Sequence, residues 1–346
     1  MRCSIIILNW NGEDMLRQYL PSVLEHTTLP DCEVVVADNG STDGSLQLLE
    51  KYPQVRLIRF EHNYGFAEGY NKALAETNAK YTVLLNSDVE VTKEWLAPML
   101  DYLDLHPQVA AVQPKILSWN SKEELQSKIK KQESGISIRF EHAGAAGGYL
   151  DRYGYPYCRG RLLSQVEEDR GQYDTEAQVF WTSGACMCVR TNIFKECGGL
   201  DAAFFAHMEE IDLCWRLNSR GWLLMCLPQS VVYHLGGGAL GYENPRKTYL
   251  NFRNNLLMLY KNLPSARLPW VMMMRTLLDY VACMQALLTG NTQNAKAILQ
   301  ARLDYHRMKK QYASVRQENL HLTTVPYPAT ISPRSIIFDH YILKKC

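Results

Sequence analysis

Residues 33–52, EVVVADNGSTDGSLQLLEKY, join an apolar run to a turn and then to helical spacing. The run is continuous rather than alternating, which reads as a strand covered on both faces and so as one member of a parallel sheet. Asn39 and Gly40 supply the turn, and Ser41 or Thr42 caps the next helix. Asp38 closes the strand. There it can accept hydrogen bonds from a base or ribose, or serve only as part of a good turn.

The same alternation extends to both sides. SIIIL (4–8), VRLIRF (55–60) and YTVLLN (81–86) read as strands, while EDMLRQYLPSVLEH (13–26) and AEGYNKALAET (67–77) read as helices. Helical crossovers between such runs predict an α/β fold with a mostly parallel sheet and helices on both faces. Ligands of these sheets bind beyond the carboxyl ends of the strands. Polar residues stand at each end: Asn9 and Asn11, Asp38, Asn63, then Asn86 and Asp88. The first strand runs into NWNGED, without the GxGxxG turn that a dinucleotide pyrophosphate needs, which excludes a nicotinamide-dependent oxidoreductase.

Between 118 and 176 the pattern breaks down. WNSKEELQSKIKKQES is charged and reads as exposed, and HAGAAGGYLDRYGYP, rich in Gly and Tyr, suits an ordered loop near a ligand. VFWTSGACMCVR (179–190) returns to a strand pattern, and helical spacing dominates from about 245. The expected organisation is a catalytic domain over 1–244, with halves at about 1–117 and 118–244, and a mainly helical region over 245–346.

The chain of 346 residues is 47% hydrophobic and 21% charged, an ordinary globular composition. Its N-terminal apolar run is too short for a signal peptide and reads as a buried strand. The ten cysteines are scattered without a CxxC pair, which suits reduced, buried thiols. Net charge is +1, yet residues 245–316 hold twelve Lys and Arg against Asp279 and Asp304 alone. That region also carries apolar helical faces with Trp270, Met272, Met273, Met274, Leu277 and Leu278. Either this is a solvated face over an ordinary core, or an interfacial surface on which Arg253, Lys261, Arg267 and Arg275, extended by Lys309, Lys310 and Arg316, meet anionic lipid. Arg275 and Asp279 interrupt the longest apolar stretch and argue against a transmembrane helix. No nucleic-acid partner is expected, and the oligomeric state is not legible.

Two segments carry chemistry. FFAHMEEIDLCWRLNSRGW (204–222) crowds Glu209, Glu210 and Asp212 at a helix start. Repulsion there needs a cation, a proton or the helix N-terminus to offset it. In LLNSDVEV, Asp88 follows a buried strand and suits a hard divalent cation that keeps waters and takes phosphate oxygens, or caps the following helix.

Together, SIIILNWNGEDMLRQYLPSV, VVVADNGSTDGS, NYGFAEGYNKAL, VLLNSDVEV, SGACMCVRTNIFKECGGLDAAFFAHMEEIDLCWRLNSRGW and VVYHLGG, in that order from residue 4 to about 238, resemble the family 2 inverting glycosyltransferases of the GT-A fold. The likeness is strongest to the bacterial rhamnosyltransferase-like branch, which builds cell-surface polysaccharides. The resemblance implies a GT-A sheet with a C-terminal helical extension. It implies nucleotide contacts from Asp38 and Asn9, bordered by Gly65 and Phe66, with Asn11, Asn39, Asn63 and Asn86 in the same site. The family's DxD metal motif falls on Asn86, Ser87 and Asp88; with Asn in first place, Asp88 is left as the main carboxylate for Mn²⁺ or Mg²⁺. His234 stands where the family places a metal-binding His; by itself a strand-end His is as readily a packed residue.

The second of the paired carboxylates corresponds to the catalytic base, Glu210, with Glu209 and Asp212 supporting it. Trp181, Thr182, Ser183 and Gly184 line the sugar pocket in this reading, with Trp181 either stacked on a pyranose or part of the core. Tyr149, Tyr153 and Tyr155 are weaker candidates for acceptor contacts. The implied donor is dTDP-rhamnose or a UDP-hexose, and the implied acceptor a glycan or a polyprenyl-pyrophosphate-linked saccharide. The place of action is the cytoplasm, or the inner face of the membrane. A non-catalytic sugar-nucleotide-binding relative is the alternative, and would be expected to have lost Asp88 or the acidic cluster.

Overall fold

The computed structural model describes residues 1–130, 137–236, 244–341 and 343. Strand β1 (Cys3–Asn9) leads through α1 (Glu13–His26) to β2 (Cys32–Asp38), then through α2 (Ser45–Leu49) to β3 (Arg56–Arg59). Helix α3 (Gly65–Ala75) returns the chain to β4 (Tyr81–Asn86) and the short β5 (Val89–Val91). Then come α4 (Ala97–Leu105), β6 (Val109–Ser118) and α5 (Trp119–Lys130). Four short strands, β7 (Gly148–Leu150), β8 (Pro156–Cys158), β9 (Arg161–Leu162) and β10 (Gln165–Val166), form a small antiparallel sheet. The chain rejoins the large sheet with β11 (Ala177–Gln178), β12 (Cys186–Arg190), α6 (Thr191–Glu196), α7 (Glu209–Ser219) and β13 (Leu223–His234).

The large sheet runs β11-β13-β6-β12-β4-β1-β2-β3, with β5 on β13. Strands β3, β2, β1 and β4 are parallel, as the continuous apolar runs require. β12 is antiparallel to both β4 and β6, so the sheet is mixed in its second half. Along β1, Ile6 enters one core and Ile5 and Ile7 the other; β2 divides Val35 and Ala37 from Val34 and Val36 in the same way. Each face of the sheet is therefore covered, and the buried Ser4 within β1 is satisfied by Glu33 and Thr77.

Three expectations change in extent. The helix expected after Asp38 is a single turn and a half, because Gly44 at its start offers no capping side chain and Pro53 follows closely. Of 179–190 only Cys186–Arg190 is a strand. Before it, Ser183 turns inward to donate to Ala143 O, and Trp181 bridges to Gly148 of the small sheet instead. The charged segment after 118 is helical over α5.

The C-terminal region is mainly helical: α8 (Pro245–Asn262), α9 (Leu268–Leu288), α10 (Thr292–Met308), α11 (Ala313–His321) and α12 (Ile336–Tyr341). Asn244 caps α8 by accepting from Arg246 N, with Pro245 in the first turn. Much of the positive charge expected at a lipid surface is instead turned inward. Lys261 is buried and donates to Asp201 and Asp212; Arg275 is buried beside Asp279; Arg316 donates to Tyr260 O. Arg253 donates to the carbonyls of Ala203 and Phe204. A buried helix-to-body cation needs a partner on the other side: Lys261, Arg253 and, through Tyr153 O, Arg275 hold the helices to the sheet domain, while Arg316 ties α11 to α8.

Candidate active site

The carboxyl ends of β1, β2 and β4 come together because their registers pair Asn9 with Asp38 and Leu8 with Asn86. Asn9 Nδ2 donates to Asp38 Oδ1 (3.2 Å), and the other Asp38 oxygen accepts from Ser41 N (3.1 Å). Asn11 reaches across to the same turn, its Oδ1 accepting from Thr42 N (2.7 Å). Asn39 donates to Asn63 Oδ1 and Gly65 O and accepts from Tyr64 N, while Asn63 Oδ1 also accepts from Gly65 N. All six expected polar and glycine positions here thus form one network. Within it Asp38 is buried and committed to the turn, and Asn9 Oδ1 is left without a protein partner.

Gly65 has φ +80, and a Cβ there would lie 2.5 Å from the Phe205 ring. The main chain of Phe205 meets the same loop, its carbonyl accepting from Phe66 N (2.7 Å). Phe205, His207 and Met208 all take positive φ, an unusual cost for non-glycine residues in one short segment. That segment delivers Glu209 and Glu210 into the first turn of α7.

The three carboxylates then diverge. Asp212 is fully buried and accepts from Arg216 Nε (3.1 Å), Lys261 Nζ (2.8 Å) and Asn262 Nδ2 (2.8 Å). Burial alone would raise its pKa, but Lys261 and Arg216 hold it below the usual carboxylate range. Burial pushes Glu209 well up, reinforced by Glu210 and Asp212. Glu210 is pushed up to about 7, mainly by burial. Glu209 Oε2 and Glu210 Oε2 have no protein partner. Asp212 is an anchor, and the Glu209–Glu210 pair is the part of the cluster free to handle a proton.

Opposite lies a second group, assembled by sheet register. β13 pairs His234 with Val89 and with Ser118, which brings it to Asp88: Nε2 lies 3.1 Å from Asp88 Oδ1 and 3.4 Å from Asn86 Nδ2. On its other side Nδ1 lies 3.1 Å from Glu141 Oε2. Burial would lower the imidazole pKa, but Asp88 and Glu141 outweigh it and push it up to about 10. Reciprocally, the charge of His234 overcomes burial to hold Asp88 and Glu141 low. Gly236 has φ +68, and any Cβ there would meet Glu141 Oε1. Among the described residues no group of three or more His, Cys, Asp and Glu forms a ready-made metal cage; Asp88 and His234 present two donors.

Gly184 connects the two groups. A Cβ on it would lie 3.1 Å from Phe66 and 3.8 Å from Glu210 Cβ, and the next carbonyl, Ala185 O, accepts from Asn86 N (3.0 Å). Its neighbours serve the scaffold. Trp181 is 3% exposed, donates to Tyr149 O and lies flat against Gly148, so its ring has no face left for a sugar. Thr182 and Ser183 are buried too, Ser183 N donating to Gln113. Of the tyrosines, Tyr155 lies under the Arg275 guanidinium and Tyr149 donates to Gln178 O.

Three residues at the site were not anticipated. Glu141 opens the glycine-rich loop whose composition already suggested a ligand nearby. His207, two residues before Glu209, is pushed down to about 4 by burial and then by Lys247, and its Nε2 has no protein partner. Trp10, between Asn9 and Asn11, is 55% exposed at the end of β1; the sequence signal was a large aromatic in a polar turn.

Residues 4–161 match the model of the glycosyl transferase family 2. The chain is 27% identical over 244 residues to the N-acetylglucosaminyl-diphospho-decaprenol L-rhamnosyltransferase of Mycobacterium tuberculosis, covering 66% of this chain and 75% of that one. Among solved structures, S. aureus TarS 1-349 in complex with UDP-GlcNAc superposes with a TM-score of 0.53 at 17% identity, over 93% of this chain and 89% of that one. GalNAc-T7 with UDP, GalNAc and Mn²⁺ superposes with a TM-score of 0.58 at 17% identity, over 77% of this chain, which spans about half (48%) of that structure.

Proposed function

We propose that this chain, a glycosyltransferase of GT-A fold whose residues 4–161 match the glycosyl transferase family 2, moves a sugar, with inversion, from a nucleoside-diphosphate sugar to a hydroxyl of a lipid-linked saccharide or growing glycan. The observation that carries this reading is Glu210, a carboxylate pushed up to about 7 with an unpartnered oxygen, beside Gly184 and Phe66 at the sheet's carboxyl edge.

In a single in-line displacement the acceptor oxygen forms its bond to the anomeric carbon as the bond to the diphosphate oxygen breaks, and the hydroxyl proton passes to Glu210. A base whose pKa lies near the working pH is ionised often enough to accept and basic enough to pull. Burial, reinforced by Glu210 and Asp212, raises Glu209 as well. The nucleotide lies over Asn9, Asn11 and the Gly65–Phe66 loop in this reading, with Asp38 and Asn39 holding those loops in shape.

Asp88 and His234 fit a divalent cation, Mn²⁺ or Mg²⁺: two protein donors suffice for an ion that also keeps waters and takes phosphate oxygens, and the imidazole, which the two carboxylates favour in its protonated form in the free chain, would give up its Nε2 proton when such an ion binds. When bound, such an ion supplies neutralisation of the departing diphosphate. Glu141 orients His234 from behind, the arrangement by which a carboxylate fixes a ligating imidazole. The rhamnosyltransferase relative supports rhamnose as the sugar moved and a polyprenyl-diphosphate-linked saccharide as acceptor; the donor in this reading is dTDP-rhamnose, with UDP-hexoses as the second class, and an enzyme acting on such an acceptor would work at the inner face of the membrane.

The test is a panel of nucleotide sugars with and without Mn²⁺ or Mg²⁺, read by thermal shift and by release of free nucleoside diphosphate. One donor should raise Tm and be slowly hydrolysed only with metal. A chain that no nucleotide sugar stabilises would overturn the reading.

A further inference from the structure

Helix α9 has its charges inside. Arg275 and Asp279, its two charged residues, are 2% and 0% exposed, and Arg302 of α10 joins them by donating to Asp279 Oδ2 (2.6 Å). The opposite side carries Trp270, Met273, Leu277, Val281, Met284 and Leu288, each more than half exposed. Steps of three and four residues set these six side chains on one line along a helix of about 30 Å. α10 packs on α9 through Cys283, Ala295 and Ile298, and its own exposed leucines, Leu299 and Leu303, stand between Lys296 and Arg307 at the same spacing. A contiguous apolar surface of this length marks a place where something binds.

Charge decides between the occupants. A second copy meeting this face about a two-fold axis would bring a second Lys296 to the same rim. The acidic residues of α9 and α10 offer Lys296 no relief: Asp279 is buried, and Asp304 is paired with Arg307 and accepts from Tyr249 and Gln300. Anionic headgroups complement the same rim, and acyl chains complement the line of apolar side chains. The inner side of α9, with Val271, Arg275, Asp279 and Cys283 buried against the protein, keeps the helix attached to the body, so it lies along a surface.

We infer that α9, with the exposed edge of α10, is an in-plane docking face for a bilayer that carries anionic lipid. Attachment rests chiefly on the apolar line, with Lys296 adding a salt-sensitive share; Arg307 is paired with Asp304, and the buried Lys261, Arg275 and Arg316 contribute to folding instead. The inference stands on these two helices and does not depend on the identity of the donor or acceptor.

The full chain should co-sediment with vesicles of phosphatidylcholine containing phosphatidylglycerol, and more weakly with phosphatidylcholine alone. Leu277→Glu with Met284→Glu should lower partitioning by about tenfold or more at unchanged Tm. In the unaltered chain, brominated lipid should quench the emission that Trp270→Phe removes, a readout that needs no folded variant of the apolar line. Absence of pelleting with the anionic vesicles at low salt, full pelleting by the double variant, or unquenched Trp270 emission would each overturn the inference. So would a lipid-free dimer that the double variant dissociates, which would show a second copy to be the occupant. Donor-induced thermal shift, read in the same samples without lipid, separates failure of this inference from failure of the glycosyltransferase reading.

Discussion

Glu141 Oε2 lies 3.1 Å from His234 Nδ1, on the side of the ring away from Asp88. The contact fixes which nitrogen faces the site. A carboxylate behind a ligating imidazole usually matters about 10- to 100-fold for metal affinity, so Glu141→Gln should weaken Mn²⁺ binding by that order. Titration of Mn²⁺ against the chain in the presence of nucleoside diphosphate measures it directly, without turnover. An unchanged affinity would show Glu141 to be a packing residue.

Asp88 and His234 should behave as one unit. Asp88→Asn and His234→Ala should each weaken metal-dependent donor binding, and the double variant should lose less than the sum, because the second substitution removes a partner already gone. Additive losses, or full activity in excess chelator, would refute a shared cation site.

Glu210→Gln should lower turnover by about 10² to 10⁴-fold with little change in donor affinity. In the unaltered enzyme the base works ionised, so turnover should rise with pH through a midpoint near 7, the value to which burial pushes this carboxyl. Stability moves the other way. A carboxyl held above its unfolded value keeps its proton better when folded, so its contribution to stability is lost as pH rises from about 4.5 through about 7. The Tm advantage of Glu210→Gln over the parent should accordingly be larger at pH 8 than at pH 5, and scanning calorimetry at both values decides it.

Gly65→Ala should act on the base from a distance. The new methyl meets the Phe205 ring and forces φ +80 on a residue that disfavours it. The displaced 205–208 segment carries Glu209 and Glu210, so turnover should fall by about 10- to 100-fold while the fold survives. Single-turnover measurement at saturating donor is the check; an unaltered rate would show that the Phe205 contact does not position the base.

The first half of the sheet was legible because its strands are continuous apolar runs with polar ends, and Asn9, Asp38 and Asn86 did converge through register. The acidic cluster was legible as a group, but not in its division of labour. Arg216, one turn on, is a local partner of Asp212, but Lys261 and Asn262, which complete the anchor, lie far along the chain. Glu141 was hidden for the same reason: a loop residue acquires its meaning only when β13 delivers His234 to it. Trp181 was ambiguous by type, since only its contact with Gly148 shows which side its ring faces. The basic C-terminal region misled by composition, which counts charges and not where they point.

The grip of α8 on Asp212 bears on how this protein can be cut and recombined. Lys261 and Asn262 supply two of the hydrogen bonds that keep a fully buried carboxylate ionised. A chain ended at residue 244 would leave that charge short of partners, at a cost of about 3–5 kcal/mol, a large part of the stability of most folded domains. Residues 1–244 and 245–346 are therefore not interchangeable modules. A chimera that borrows either portion from a relative should fold only if the Asp212, Lys261 and Asn262 trio travels together, and a joint between α9 and α10 must likewise keep the buried Asp279 and Arg302 from one parent.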